Sequence, residues 1–261
     1  MHPRPSRTHG ASRPRPAGHG LLMAASVLVL ALLAGACGAR DDRAGAQPEA
    51  NEPAKLTVAG DSIALGLGVT LRDLTDAAEG LDGDPSTSAV ETKVIAQDGT
   101  GLARPDVFDW PERLEQLAAE FPPEVLVFSV GSNDTQDLTD PDGGVVATLG
   151  DPEAWDTEYS ARLAEVFDHF ADTDTTVVWL GHIRPEADAV ADGNRHIHEL
   201  ASQVASERPW VEVGDLAVLT GSGAVETSGC LAPDGLHLRT DCYVEASEQL
   251  LDSVRTALAD S

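Results

Sequence analysis

Positively charged side chains are scarce in this chain of 261 residues, which holds 17 Lys and Arg against 44 Asp and Glu. Only two of these cations are lysines, Lys55 and Lys93. The formal net charge of −27 argues against nucleic acid and anionic membrane surfaces as direct partners, because both are polyanions. The acidity predicts instead a well-solvated, soluble surface.

Long hydrophobic runs are also scarce, and the longest covers Leu21 to Leu33. This run follows a basic stretch and is too short to span a bilayer comfortably, which is the pattern of a secretory signal. It is followed by Leu33-Ala34-Gly35-Ala36-Cys37, which resembles a bacterial lipobox, although Ala34 stands where leucine is typical. We therefore expect residues 1–36 to be a lipoprotein signal peptide and Cys37 to be acylated. Plain secretion and a retained N-terminal anchor are the alternatives.

The segment after Cys37 is polar and rich in Pro, Gly and Ala, which predicts a flexible tether over residues 37–54. The remaining residues, 55–261, are long enough for one medium-sized domain. The expected location is the outer face of the cell membrane, with membrane contact through the lipid anchor only. We expect the domain to be a monomer.

Cysteine occurs only three times, at Cys37, Cys230 and Cys242. With Cys37 assigned to lipidation, Cys230 and Cys242 remain as a pair in an oxidising compartment. A disulfide between them would stabilise the fold by about 3 kcal/mol in the chain-entropy estimate. A zinc pair is the alternative, but no second Cys or His pair lies at a suitable spacing.

Apolar strands alternate with amphipathic helices through the domain, and no internal repeat is present. The pattern predicts strands over 55–59, 90–96, 125–130, 176–180 and 210–213. It predicts helices over 62–79, 109–121, 153–171, 194–207 and 243–258. This alternation predicts an α/β fold, a flavodoxin-like three-layer α/β/α sandwich with a mainly parallel five-stranded sheet.

Ser62 lies where the first strand ends and the first helix begins, in Val58-Ala59-Gly60-Asp61-Ser62. The N-terminus of a helix offers unpaired N–H groups and a partial positive charge to a developing oxyanion. A serine hydroxyl is a poor nucleophile without a base, so a histidine and an orienting carboxylate are needed. Asp61 is adjacent to Ser62 and is better placed to shape the turn than to orient that base.

Three later segments carry the remaining chemistry, and each lies in a loop. Gln97 to Leu102 contains Gly99 and Gly101, whose backbone can approach a ligand closely. Asn133 follows the third strand in Gly131-Ser132-Asn133-Asp134. Asp234 and His237 are three residues apart before the last helix, a spacing that lets the carboxylate hold the imidazole.

Together, Gly60-Asp61-Ser62, the glycine loop, Gly131-x-Asn133-Asp134 and Asp234-x-x-His237 resemble the SGNH, or GDSL-type, hydrolases over residues 55 to about 259. Two further segments are similar to an uncharacterised bacterial subgroup of that superfamily, some of whose relatives are linked to acyl transfer on envelope glycans. These segments are Gly101-Leu102-x-Arg104-Pro105-Asp106-x-Phe108-Asp109-Trp110-Pro111 and Trp155-x-x-x-Tyr159-x-x-Arg162.

The resemblance implies a carboxylic ester hydrolase with an acyl-Ser62 intermediate. Ser62 is then the nucleophile, His237 the general base and acid, and Asp234 the residue that fixes its tautomer. The implied oxyanion hole comprises the Ser62 N–H, the Gly101 N–H, with Gly99 as second choice, and the Asn133 side chain. No metal and no organic cofactor is implied, and the substrate is a small-molecule or glycan ester. An O-acyltransferase with the same triad and a non-catalytic envelope-binding module are the alternatives.

Other residues have simpler interpretations. Trp110, Trp155 and Tyr159 are expected to be packing residues at helical positions. His182 is expected to be structural, although it lies where it could line the crevice, and the role of Arg184 is left open. Asp137, Asp140 and Asp142 suggest calcium only loosely, because the chelating glutamate is missing.

Overall fold

A computed structural model describes residues 52–81, 90–181, 183–216 and 229–259 of the chain. Its strands are β1 (Ala54–Gly60), β2 (Val90–Ala96), β3 (Val125–Ser129), β4 (Leu138–Thr139), β5 (Val145–Ala147), β6 (Thr176–Gly181) and β7 (Val211–Asp215). Its long helices are α1 (Ser62–Leu81), α2 (Trp110–Glu120), α3 (Pro152–Asp168), α4 (Asp188–Ala205) and α5 (Thr240–Ala259).

Five strands form one parallel sheet in the order β2-β1-β3-β6-β7. The central strand β3 is buried along its whole length, as its continuous apolar sequence predicts for a strand covered on both faces. The edge strand β2 alternates in burial over its first residues, which fits its mixed polarity. The predicted α/β fold with a five-stranded parallel sheet is therefore confirmed.

The two faces of the sheet carry separate apolar cores. Helices α1 and α5 pack together on one face, while α3 contacts α2 and α4 on the other. Gly66 lies where α1 contacts α5, and an added Cβ there would come within 2.4 Å of the Tyr243 ring. Trp110, Trp155 and Tyr159, predicted as packing residues, are all buried in the second core.

Aspartate caps explain where α2 and α3 begin. The Asp109 side chain accepts a hydrogen bond from the Glu112 N–H, and Asp151 accepts one from Ala154. Each helix also carries a proline in its first turn, where a missing N–H costs nothing.

The structure departs most from the sequence-based prediction at two places. The antiparallel pair β4 and β5 was not predicted, because its strands have two and three residues and Val145 is exposed. Helix α4 begins at Asp188 rather than at residue 194. No side chain caps its first turn, so the sequence lacks the usual start signal.

Several predicted features lie outside the described residues. They are the signal peptide, Cys37, nearly all of the tether, and His182. Among the helices that the structure describes, none has the length and apolar character needed to cross a membrane.

Candidate active site

The junction between β1 and α1 places Ser62 at the carboxyl edge of the sheet. Gly60 has a φ of +142°, and a Cβ there would lie 1.9 Å from the Ser129 carbonyl oxygen, so only glycine fits. Asp61 is completely buried, and its Oδ1 accepts a hydrogen bond from the Ile63 N–H at 2.9 Å. Asp61 thus shapes this turn, as predicted, while Ser62 begins the helix with its N–H among the groups that have no intrahelical acceptor.

His237 connects Ser62 to Asp234. Its Nε2 lies 2.8 Å from Ser62 Oγ, and its Nδ1 lies 2.8 Å from Asp234 Oδ2. The other carboxylate oxygen of Asp234 accepts hydrogen bonds from the N–H groups of Leu236 and His237, both at 3.0 Å. The structure therefore brings the three predicted residues together, although Ser62 and His237 are 175 positions apart in sequence.

The charge of Asp234 determines which ring nitrogen of His237 carries the proton. Hydrogen bonds from the His237 and Leu236 N–H groups, followed by the bond to the His237 ring, lower the pKa of Asp234 to about 2. An ionised carboxylate can only accept, so Nδ1 of His237 carries the proton that it donates to Asp234. In the neutral imidazole, Nε2 is then the acceptor for the hydroxyl proton of Ser62.

A disulfide closes the loop that carries His237 and Asp234. Cys230 and Cys242 are bonded, with their Cα atoms 5.6 Å apart, which confirms the predicted pairing. Within the loop, the Ala232 N–H donates to the His237 carbonyl oxygen at 2.8 Å, and the Arg239 N–H donates to the Cys230 carbonyl oxygen at 2.8 Å. The imidazole is therefore presented by a short, cross-linked segment.

The Asn133 side chain lies between two acceptors next to Ser62. Its Nδ2 donates to Asp61 Oδ2 and to the Thr100 carbonyl oxygen, both at 3.0 Å. These bonds use both amide hydrogens. Asn133 can therefore donate to an oxyanion only if it gives up or shares one of these two acceptors.

The glycine loop supplies backbone close to Asn133. Gly99 is exposed and adopts a φ of +70°, whereas Gly101 is buried, and a Cβ there would lie 2.0 Å from Asp134 Oδ1. The Thr100 C=O and the Gly101 N–H belong to the same peptide group, and a trans peptide directs them to opposite sides. Because the Asn133 side chain donates to the Thr100 carbonyl oxygen, the Gly101 N–H points away from Asn133. Donation to an oxyanion by Gly101 or Gly99 stays a prediction. Asp98, which precedes them, is exposed.

A buried network behind the glycine loop was not predicted from sequence. Asp134 is completely buried and accepts hydrogen bonds from the Ala103 N–H at 2.7 Å and from the Tyr159 hydroxyl at 2.8 Å. Arg162, also buried, donates to the carbonyl oxygens of Leu102, Ala103 and Thr139 and pairs with Glu158. Asp134, Tyr159 and Arg162 belong to the motifs on which the family resemblance rests, but the sequence assigned them no contact.

Burial raises the pKa of Asp134 to about 6 despite the hydrogen bonds that it accepts, and the charge of Asp61 acts in the same direction as burial. Its ordinary value is 3.8, so between these two pH values the folded protein binds more protons than the unfolded chain. The contribution of Asp134 to the free energy of unfolding therefore decreases as the pH rises from about 4 to about 6.

Asp134→Asn should remove this pH dependence while it retains the side-chain shape. We expect the free energy of unfolding of D134N, relative to wild type, to increase by about 2 kcal/mol between pH 4 and pH 7. Urea unfolding at several pH values with constant ionic strength measures this difference. An equal difference at both pH values would show that Asp134 titrates as an ordinary carboxyl group.

The remaining candidate ligands do not form a metal centre within the part of the chain that the structure describes, where no group of three or more His, Cys, Asp or Glu is arranged to hold a metal ion. Asp140 instead accepts hydrogen bonds from the Asp142 and Gly144 N–H groups and so closes a turn. His196 lies 2.6 Å from Asp156 through Nε2 and Oδ1. Arg184 is exposed, and its role remains open.

Comparison with solved structures identifies the fold. The chain is similar to a protein from Slackia heliotrinireducens provisionally described as an SGNH hydrolase, with a TM-score of 0.54 and 15% identity over 78% of this chain and 100% of the other. A carbohydrate esterase family 3 structure from Talaromyces cellulolyticus has a TM-score of 0.52 and 14% identity, over 80% of this chain and 99% of the other. A member of the lipolytic G-D-S-L family from Veillonella parvula has a TM-score of 0.51 and 16% identity, over 76% of this chain and 96% of the other.

These similarities, together with the parallel sheet and the position of Ser62, place the domain in the fold of the SGNH, or GDSL-type, hydrolases. The identities are low, so they establish the fold and not the activity. Within that class, a family model described as a protein of unknown function, DUF459, matches residues 55–227. The chain belongs to the DUF459 family. None of the curated proteins matches the sequence.

Proposed function

We propose that this chain is a serine-dependent carboxylic ester hydrolase that acts through an acyl-Ser62 intermediate. The observation that carries the proposal is the hydrogen-bonded series from Ser62 Oγ through the His237 ring to Asp234, with both distances 2.8 Å. These distances lie within the range at which a base can remove a proton from a nucleophile. The series lies at the carboxyl edge of a parallel sheet, where open α/β folds bind ligands.

In the proposed reaction, Nε2 of His237 accepts the Ser62 proton as Oγ attacks the ester carbonyl carbon. Asp234 stabilises the imidazolium that forms and keeps Nε2 facing Ser62. The imidazolium then donates its proton to the leaving alcohol, and the acyl group remains on Ser62. Water, deprotonated by the same nitrogen, then attacks the acyl carbon. As the bond to Ser62 Oγ breaks and the carboxylic acid leaves, the imidazolium returns its proton to Oγ.

The negative charge on the carbonyl oxygen needs donors during both steps. The Ser62 N–H at the start of α1 is one, and Asn133 becomes another when its amide exchanges Thr100 O or Asp61 for the oxyanion. Each such donor is typically worth about 3 kcal/mol in the transition state. The bond to Asp61 ties the Asn133 amide to the residue directly before Ser62.

Hydrolysis is favoured over acyl transfer by the exposure of the triad. The side chains of His237 and Asp234 are 35% and 53% exposed, so water has access to the acyl-enzyme. A transferase must exclude water from its intermediate in favour of a bound acceptor. The complete triad also argues against a domain that only binds glycans.

An assay of residues 52–261, which include the whole of β1, on short p-nitrophenyl esters tests the proposed activity. We expect turnover without added metal or cofactor, and the same rate of acid release when sugar alcohols are added as competing acceptors. Acylated sugar appearing at the expense of free acid would identify a transferase. An absence of turnover across acetyl, butyryl and hexanoyl esters would contradict the proposed function.

We further propose that the protein is an exported lipoprotein acylated at Cys37. The proposal is supported by the basic leader, the short apolar run and the small residues before Cys37. The disulfide is consistent with an oxidising compartment. Metabolic labelling with palmitate in a bacterial host should mark the wild-type chain, and a label retained by Cys37→Ser would contradict lipidation at that residue.

A further inference from the structure

Thr100 lies in the glycine loop and is buried although its side chain is polar. The residue is 2% exposed. Its hydroxyl oxygen accepts a hydrogen bond from Trp110 Nε1 at 3.0 Å and donates one to the Gln97 carbonyl oxygen at 2.7 Å. The hydroxyl thus acts as donor and acceptor at once, which only a Ser or Thr side chain of this size can do. The sequence assigned no role to Thr100.

The Thr100 hydroxyl closes the turn formed by residues 97–100. Among the residues that the structure describes, the Thr100 N–H does not bond to the Gln97 carbonyl oxygen, although that bond closes many β-turns. The turn is attached to the candidate active site at its first residue, because the Gln97 N–H donates to the Gly60 carbonyl oxygen at 2.9 Å. Gly60 is two residues before Ser62.

The last residue of the turn holds the Asn133 side chain. The Thr100 carbonyl oxygen accepts a hydrogen bond from Asn133 Nδ2, which also donates to Asp61 Oδ2, both at 3.0 Å. Asp61 directly precedes Ser62, so one amide group joins the end of the turn to the start of α1. Bonds to its hydroxyl and to its carbonyl oxygen leave Thr100 little freedom to rotate. The hydroxyl therefore also fixes the acceptor that holds Asn133.

The donor behind Thr100 belongs to the rigid core. Trp110 is completely buried at the start of α2, with its ring centroid 4.7 Å from that of Phe108 and 5.4 Å from that of Phe128. Phe128 lies on the central strand β3. A buried indole N–H needs an acceptor, and none reaches it from solvent if the Thr100 hydroxyl is removed. The indole therefore ties Thr100 to the centre of the sheet.

We propose that Thr100 is a positioning residue for ester hydrolysis, whose hydroxyl determines where the Asn133 amide is held. The inference rests on the proposed function, in which Asn133 donates to the oxyanion. Thr100 acts through Asn133 and the turn, not through contact with the substrate. Donors that are already in place stabilise the developing charge better than donors that must first reorient. Loss of the hydroxyl should therefore lower kcat and leave KM nearly unchanged.

Thr100→Val tests this inference, because it removes the hydroxyl and keeps the branched shape. We expect kcat for p-nitrophenyl acetate to decrease about tenfold, since misplacing a catalytic group by about 1 Å costs up to about 10²-fold. Thr100→Ser keeps the hydroxyl and should retain kcat within about twofold. A raised KM with an unchanged kcat would assign Thr100 to substrate binding and contradict the inference.

Thr175→Val is the matched control. Thr175 is 3% exposed, and its hydroxyl also donates to a backbone carbonyl oxygen, that of Pro123, at 2.6 Å. It directly precedes β6 and so lies at the amino edge of the parallel sheet, opposite the edge that carries Ser62. This variant should keep wild-type kcat. An equal loss of kcat in Thr175→Val and Thr100→Val would indicate a general packing effect and contradict the inference.

A double-mutant cycle shows whether Thr100 acts through Asn133. In an Asn133→Ala background, Thr100→Val should lower kcat by no more than about twofold, because the amide that it positions is already absent. A full tenfold loss in that background would show that Thr100 acts by another route.

Hydrogen exchange of the Asn133 side-chain amide, followed by NMR, separates this inference from the proposed activity. We expect exchange about tenfold faster in Thr100→Val than in wild type, and unchanged in Thr100→Ser and Thr175→Val. If esters are hydrolysed but either kcat or the exchange rate is unchanged in Thr100→Val, the inference is wrong and the activity stands. If exchange is faster but the wild type hydrolyses no ester, the proposed function is wrong and the positioning of Asn133 by Thr100 stands. Unchanged exchange together with no hydrolysis contradicts both.

Discussion

Ser62→Ala should lower kcat/KM for p-nitrophenyl esters by about 10⁴-fold or more, because it removes the atom that forms the proposed acyl-enzyme. The remaining rate should come only from binding and from oxyanion donors acting on a water molecule. Ser62 Oγ contacts His237 Nε2 in the folded protein, and the residue is only partly buried. We therefore expect the free energy of unfolding to change by no more than about 0.5 kcal/mol.

Ser253→Ala is the matched control for this substitution. Ser253 is exposed on α5, where its hydroxyl donates to the Gln249 carbonyl oxygen at 3.1 Å. The control should retain wild-type kcat/KM. A Ser62→Ala protein that hydrolyses esters within about tenfold of the wild-type rate, after purification from a host lacking other esterases, would exclude Ser62 as the nucleophile.

Asp234→Asn should lower kcat by about 10³-fold to 10⁴-fold even though it barely alters the shape of the site. The asparagine oxygen can still accept the Leu236 and His237 N–H bonds that Asp234 accepts now. Its NH₂ group, however, would donate to Nδ1 of His237, which would move the ring proton to Nε2. That nitrogen could then no longer accept the proton of Ser62.

Asp168→Asn controls for the loss of one carboxylate. Asp168 is exposed at the C-terminal end of α3 and is held by Arg208 through bonds of 2.7 and 2.8 Å. This control should keep its activity. Single-turnover measurements can locate the Asp234→Asn defect, which should lie in the acylation step with KM nearly unchanged. A raised KM with an unchanged kcat would instead assign Asp234 to substrate binding.

The fold was largely predictable because its signals are local. The apolar sequence of β3 and the Asp-Pro starts of α2 and α3 each depend on a few neighbouring residues. The hairpin of β4 and β5 could not be predicted in this way. Its two short strands, which lie between β3 and α3, carry no pattern long enough to be recognised.

The proximity of Ser62, His237 and Asp234 was predictable from spacing and position in the fold. The hydrogen bonds of the residues around them were not. Asp234 and His237 are three residues apart, so one turn brings them together. The bonds from Asn133 to Asp61 and Thr100 span 72 and 33 positions, and the Arg162 bond to Leu102 O spans 60. Such contacts depend on exact side-chain placement, which periodicity and motif spacing do not specify.

Active-site labelling with a fluorophosphonate, followed by mass spectrometry of the peptides, tests the proposed acyl-Ser62 intermediate most directly. The reagent forms a stable bond with an activated serine hydroxyl and spares ordinary ones. We predict one modified residue, Ser62, with labelling lost in Ser62→Ala and slowed in Asp234→Asn. Labelling that maps to another serine, or that persists in Ser62→Ala, would contradict the account.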